Sequence, residues 1–157
     1  MTDEELMRVA LQQAQMAANI GEVPVGAVVS LNGEIVSAAY NRREIDKNAL
    51  AHAELLAIDA ACKKLGGWRL WQCELHVTLE PCPMCAGGIV NSRIKRVVYG
   101  ADDAKAGCCG SVTNLFSFPF NHEPVVEKGI LKEECTAILQ DFFKKLRQIK
   151  SKKENGQ

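Results

Sequence analysis

Two short segments, His52-Ala53-Glu54 and Pro81-Cys82-Pro83-Met84-Cys85, constrain this chain more than any other feature. One imidazole and two thiolates are good zinc ligands. A zinc ion held by three protein side chains keeps a fourth position for water, whereas structural sites usually close all four. A fold that uses these residues together must bring the two segments side by side. Cys82 and Cys85 are three positions apart, which on a helix puts both side chains on one face, within reach of one ion. Pro83 suits the first turn of such a helix, where its missing N–H would have no partner. Cys82 then falls at about the N-cap, where the positive end of the helix dipole favours the metal-binding thiolate. Glu54 stands two positions after His52, a spacing that does not make two helical side chains face the same way. It is suited to approach a bound water from another side, not to join the ligands. Two thiolates cancel the formal charge of the ion, so the metal alone acidifies water less than a three-histidine site would. A neighbouring base matters more for that reason.

The elements around these segments can be read from their patterns. Thr2-Asp3-Glu4-Glu5 has the capping-box pattern, and Leu6, Val9, Ala10 and Ala14 follow at helical spacing, which predicts a first helix to about Ile20, ended by Gly21. Val25 to Val29 and Ile35 to Tyr40 read as antiparallel strands joined at Asn32-Gly33, a strong two-residue hairpin signal. A polar loop from Asn41 to Asn48 precedes a helix from about His52 to Leu65, stopped by Gly66-Gly67. Leu75 to Leu79 is the third strand, Cys82 to about Asn91 a helix, and Arg96 to Tyr99 the fourth strand. Residues 101 to 124 show no period, and Val125-Val126 suggests a fifth strand. Leu131, Cys135, Ile138, Leu139, Phe142, Leu146 and Ile149 fall at helical spacing and predict a long amphipathic last helix with a basic end, Lys144 to Lys153. The pattern is α/β: helices on both sides of a mixed sheet of about five strands, a three-layer α/β/α domain. Both metal-bearing helix starts can then return to one edge of the sheet, where such proteins place their sites.

A chain of 157 residues with zero formal charge is expected to form one domain over 1–157, with 151–157 a frayed polar tail. It contains no run of about 20 apolar residues that could span a membrane. The start, Met1 to Glu5, is acidic without an apolar stretch, so no secretory signal is expected and the chain reads as cytoplasmic. Seven cysteines at irregular spacing then mean metal binding and buried thiols, not a disulfide framework. Cys62, Cys73 and Cys135 read as small core hydrophobes. Nineteen basic residues balance nineteen acidic ones, so any contact with nucleic acid must come from a local patch.

Plainer readings stand beside these. Cys82-Pro83-Met84-Cys85 could be a redox dithiol, and a closed zinc site could take Cys108 or Cys109 as its fourth ligand. His76, within a strand, reads as structural. Asn41 is by default a turn residue at a strand end, and Asp103 a turn or cap acid. Phe116, Phe118 and Phe120 read as core before base-stacking platforms, and the lysine tail as a solvated helix face.

The two central segments meet the H-x-E…P-C-x-x-C signature of zinc-dependent nucleobase deaminases, and the chain more closely resembles the bacterial tRNA-specific adenosine deaminases. The resemblance rests on Glu22-Val23-Pro24-Val25-Gly26-Ala27, Ala51-His52-Ala53-Glu54, Val77 to Gly87, Ser92-Arg93-Ile94, Val97 to Ala101, Gly129-Ile130-Leu131 and Asp141-Phe142-Phe143, and so covers nearly the whole chain. It departs from the usual pattern at Gly107-Cys108-Cys109-Gly110, where small residues with at most one thiol are usual. The resemblance implies a cytidine-deaminase-like fold and hydrolytic deamination of adenosine to inosine at the wobble position of a tRNA anticodon loop. One Zn2+ per chain would be held by His52, Cys82 and Cys85, with Glu54 catalytic. It also implies that Asn41 contacts the base, Val25 packs against it, Asp103 lies near the ribose, His122 sits near the RNA, and the protein is a homodimer. A deaminase of a free nucleobase, nucleoside or nucleotide is the alternative within the enzyme class. A non-catalytic zinc-stabilised RNA-binding domain is the alternative outside it.

Overall fold

A computed structural model of the chain describes residues 1–156; Gln157, the end of the expected tail, lies outside the described residues. The first helix, α1, covers Asp3–Asn19, and the capping box forms as its sequence predicts: the Thr2 hydroxyl accepts from the Glu5 N–H while the Glu5 carboxylate accepts from the Thr2 N–H. Strands β1 (Gly26–Leu31) and β2 (Glu34–Tyr40) pair antiparallel around Asn32-Gly33. Both turn residues take positive φ, 52° and 77°, the condition for a tight turn that matches strand twist. Next come α2 (Ala53–Leu65), β3 (Cys73–Leu79), α3 (Pro83–Ser92), β4 (Arg96–Ala101), β5 (Val125–Lys128) and α4 (Lys132–Glu154).

The sheet order is β2-β1-β3-β4-β5. β1 runs antiparallel to β2 and β3, while β3, β4 and β5 run parallel to one another. The alternation of side chains along each strand divides the core in two. Ala27, Val29, Leu75, Val77, Val97 and Tyr99 pack with Ala57, Ile58 and Ala61 of α2 and Ile89 of α3. Val28, Val98 and Ala101 pack on the other face with Leu6, Met7 and Ala10 of α1 and Cys135 of α4. This is the expected three-layer arrangement with a mixed five-stranded sheet. Across the α1 face, the Arg96 guanidinium reaches both Asp3 carboxylate oxygens at 2.7 and 2.6 Å, and the buried His76 Nε2 meets Asp3 Oδ1 at 2.8 Å. His76 is structural, as its strand context suggests.

Four details differ from the sequence reading. Cys62 is half-buried at the margin of the core, whereas Cys73 and Cys135 are inside it. Phe116 is buried, but Phe118 and Phe120 are exposed, because the 3₁₀ turn Leu115–Ser117 breaks their alternation. The helical period of α4 is present to Glu154, so much of the predicted frayed tail is helical. Its apolar stripe is nevertheless uncovered at the far end, where Phe143, Leu146 and Ile149 are exposed because nothing among the described residues stands opposite. No helix among the described residues is long and apolar enough to cross a membrane.

Candidate active site

Sheet topology alone gathers the candidate residues. β3 and β4 are parallel, so the segments leaving their C-terminal ends, toward Cys82 and Asp103, emerge at one edge. β1 is antiparallel to β3, so Val25, just before it, starts from that same edge. β2 returns there to deliver Asn41, whose N–H bonds the Val25 carbonyl at 3.0 Å. Both helices packed on this side of the sheet begin at the same edge, with His52 the N-cap of α2 and Cys82 the N-cap of α3. Neither side chain caps its own helix by a hydrogen bond, so imidazole and thiol can turn toward each other.

They meet. His52 Nδ1 lies 3.6 Å from Cys82 Sγ and 3.5 Å from Cys85 Sγ. The ligand atoms of these three residues all lie within 4.8 Å of one another, the metal-binding group found among the described residues. Zn–S bonds of about 2.3 Å and a Zn–N bond of about 2.0 Å at a tetrahedral angle put N and S about 3.5 Å apart. Both N–S distances therefore match those around a bound zinc ion. Cys108 and Cys109 stand outside the group. The Cys85 thiol donates to Cys82, and with help from His52 this holds Cys82 down at about 4 despite its burial. The same hydrogen bond and burial push Cys85 up. A cation shared by both sulfurs would let both ionise.

Glu54 follows His52 in the first turn of α2 and is buried, 4% exposed. Burial, above all, pushes its carboxyl up to about 7, against the pull of its own backbone N–H and of His52. It lines the same cavity as His52 and Cys82, a space of about 220 Å³. This is small beside the roughly 300–1,000 Å³ of common ligand sites, and it suits a single ring system with the rest of a substrate outside. Val25, Asn41 and Asp103 also line it. Asn41 is 8% exposed, gives one amide N–H to the Val23 carbonyl at 3.2 Å and accepts from the Arg43 N–H at 3.1 Å. One amide hydrogen and one acceptor position are left over. Asp103 Oδ1 accepts from the N–H groups of Lys105 and Ala106, the turn role expected of an acid there. His122 lies elsewhere, its Nε2 2.6 Å from the Ile94 carbonyl.

The chain matches the MafB19-like deaminase family over residues 1–147. It is 52% identical over 152 residues to the tRNA-specific adenosine deaminase of Bacillus subtilis strain 168, an alignment covering 96% of this chain and 94% of that protein. The chain belongs to the tRNA-specific adenosine deaminase family. Among solved structures, one from studies of A-to-I editing by tRNA:A34 deaminases at the wobble position superposes with a TM-score of 0.84 at 42% identity. It covers 86% of this chain and 99% of that one. A guanine deaminase from Bacillus subtilis superposes less closely, with a TM-score of 0.64 at 33% identity, covering 80% of this chain and 83% of that one.

Two residues that stood in the sequence only as part of the resemblance also shape this deaminase site. Glu22, 1% exposed, receives the Glu44 N–H on both carboxylate oxygens, at 2.9 and 3.1 Å, and so ties the loop after Asn41 to the start of β1. Glu80, 2% exposed, does the corresponding work on the Asp103 side. Their signal was faint: an acidic residue inside an apolar block, Glu22 before Val23 and Glu80 after Leu79, where a charge is out of place unless it is hydrogen-bonded.

Proposed function

We propose that this protein hydrolyses adenosine to inosine at the wobble position of tRNA, through one zinc ion held by His52, Cys82 and Cys85. The observation that carries the proposal is the convergence of those three ligand atoms and the buried Glu54 carboxyl at one small open cavity. When bound, zinc supplies the Lewis acidity that makes water a nucleophile near neutral pH.

The chain's own residues do the rest. Glu54 takes a proton from the water that attacks C6 of the base and passes it to the ring nitrogen. It then takes the second proton and delivers it to the departing amino group. Adenosine and water become inosine and ammonia. A carboxyl poised near neutrality by burial is matched to both directions of transfer. Val25 supplies an apolar wall for the ring, Asn41 its remaining amide hydrogen-bonding positions, and Asp103 an acceptor near the sugar. An unstacked base in an anticodon loop can enter such a cavity while its backbone stays outside, the mode by which proteins read single-stranded RNA.

Glu54 also argues against a metal-stabilised domain without catalysis. A buried carboxylate that forms no salt bridge among the described residues costs stability, and a merely structural zinc site has no use for one. The whole chain, 1–157, acts here as one cytoplasmic deaminase domain and pairs as a homodimer. The pairing is supported by the uncovered apolar stripe of α4, with lysines beside it to meet phosphate.

Incubating purified, zinc-loaded protein with total tRNA and, separately, with free bases and nucleosides tests the proposal. Inosine is expected in the tRNA alone. Efficient deamination of guanine or of free nucleosides, with tRNA untouched, would transfer the site to a small-molecule deaminase.

A further inference from the structure

Between β4 and β5 the chain builds one wall of the cavity, through Asp103 and Ala106, with little regular structure of its own. From residue 102 to 114 it has one isolated bridge, Cys109 with Asn114. What holds it in place is Glu80. Oε1 accepts from the Asp103 N–H at 3.0 Å and from the Ser111 hydroxyl; Oε2 accepts from the N–H groups of Cys109 at 2.9 Å and Ser111 at 3.1 Å. All four donors belong to the loop, and among the described residues no lysine, arginine or histidine forms a salt bridge with this carboxylate. The loop wraps it as a nest of backbone amides wraps a bound anion.

The fit leaves no slack. A methyl group at Gly107 would collide with the Glu80 carboxylate and with the Asp103 carbonyl, so the loop closes on Glu80 only with glycine there. The Cys108 N–H bonds the Pro81 carbonyl at 2.9 Å, adding a backbone tie next to the carboxylate. The loop is thus fastened to the strand end that also leads into the metal-binding helix.

We propose that Glu80 is a positioning residue for the substrate: by fixing the amides of Asp103, Cys109 and Ser111, it sets the place from which Asp103 meets the sugar of the bound nucleoside. This rests on the substrate reading given above for the same site. Glu80 acts through Asp103, and the proton transfers belong to Glu54 on a different element. Its loss therefore weakens binding and spares the chemical step.

Glu80→Gln keeps the shape but turns an NH2 group toward N–H donors. With zinc-loaded enzyme and an anticodon stem-loop RNA, its KM should rise by roughly tenfold to a hundredfold, the usual effect of losing charge-assisted hydrogen bonds. The kcat should stay within about threefold, since transition-state contacts made by Glu54 remain, and zinc content should not change. In the Asp103→Ala background the further rise should shrink to less than about threefold, because the two residues act in series. A merely structural role would give additive losses with kcat falling too. Unchanged KM, or an undiminished effect in the Asp103→Ala background, would overturn the proposal.

Amide hydrogen exchange reads the same clamp without substrate. Exchange at residues 103, 109 and 111 should quicken at least about tenfold in Glu80→Gln, while α2 and α3 stay protected. Unchanged protection overturns the proposal whatever the substrate is; a wild type inactive on RNA with quickened exchange points instead to the substrate reading. Should Glu80→Gln fail to fold, the exposed Ser111→Ala removes one of the four bonds. It should raise KM by roughly twofold to tenfold, and an unchanged KM there overturns the proposal as well.

Discussion

Replacing Glu54 by glutamine should make the protein more stable and almost inactive, and both halves follow from its burial. The fold holds the Glu54 carboxyl at about 7, against an ordinary 4.5, chiefly through desolvation. The folded state therefore binds this proton more tightly than the unfolded chain. The stability associated with it is complete below pH 4.5 and is lost as pH rises through about 7. The interval corresponds to about 3 kcal/mol, which for a chain of this size is roughly 6–12 °C of melting temperature. Glutamine keeps the shape and has no proton to lose. On metal-free protein, melting curves from pH 5 to 8.5 should show the wild type falling away from Glu54→Gln above neutrality, with the variant higher at pH 8. On zinc-loaded protein the variant should lose activity at or beyond the upper end of the ~10²–10⁴ common for general acid–base groups, because the proposed mechanism has Glu54 move more than one proton. Parallel melting curves would refute the desolvated carboxylate. Near-normal turnover in a zinc-loaded variant would refute the proton carrier.

Other expectations follow from neighbouring features. Cys85→Ser should release zinc while Cys108→Ser and Cys109→Ser retain it, read by metal analysis of purified protein; the reverse pattern would displace the assigned ligands. Asn41→Ala should keep zinc and raise KM for tRNA by about tenfold, and an unchanged KM would return Asn41 to a turn residue. In wild type, Asp3 is held far below the ordinary carboxylate range, first by Arg96, and His76 is lowered first by burial. The unfolded chain therefore binds more protons, so stability should decline as pH falls below 6.5 and again below 3.8. Asp3→Asn should cost about 1–3 kcal/mol at pH 7 and remove the second decline in a pH series of denaturant melts. Gly26→Ala would drive a methyl group into the Ala10 carbonyl and the Ala14 backbone of α1, so a loss of about 3 kcal/mol or more is expected in the same melts.

The fold was legible where local chemistry and long-range packing agree. Thr2 and Glu5 can make a capping box, Asn32-Gly33 can turn tightly, and Gly66 can end α2 in the left-handed region, each whatever surrounds it. Such signals survive in sequence because few alternative residues satisfy the same backbone geometry. Burial is a different matter. The helical period of α4 identifies its apolar stripe, yet whether Leu146 and Ile149 are covered depends on what stands opposite, and period carries no information about that. The same holds for Phe116, Phe118 and Phe120, which alternate as if on a strand until a 3₁₀ turn rotates one inward and leaves two outside.

In the site, the division runs between side chains that must have a certain chemistry and side chains that need only a certain shape of backbone around them. Zinc draws its ligands from few side-chain types, thiolate and imidazole foremost, so His52, Cys82 and Cys85 stand out, two of them at helix N-caps and the third one turn on. Glu22 and Glu80 are satisfied mostly by main-chain N–H groups, which every residue but proline provides, with the Ser111 hydroxyl the one side-chain donor, so partner residue types hardly mark them. The loop that Glu80 organises has no period to detect for the same reason: much of its order comes from one carboxylate beneath it. On the proposed reading, substrate selection depends on parts of the chain that sequence pattern does not mark. The candidate metal ligands sit at helix starts that pattern marks at once, whereas the cavity walls are held by buried acids whose partners appear only in the folded chain.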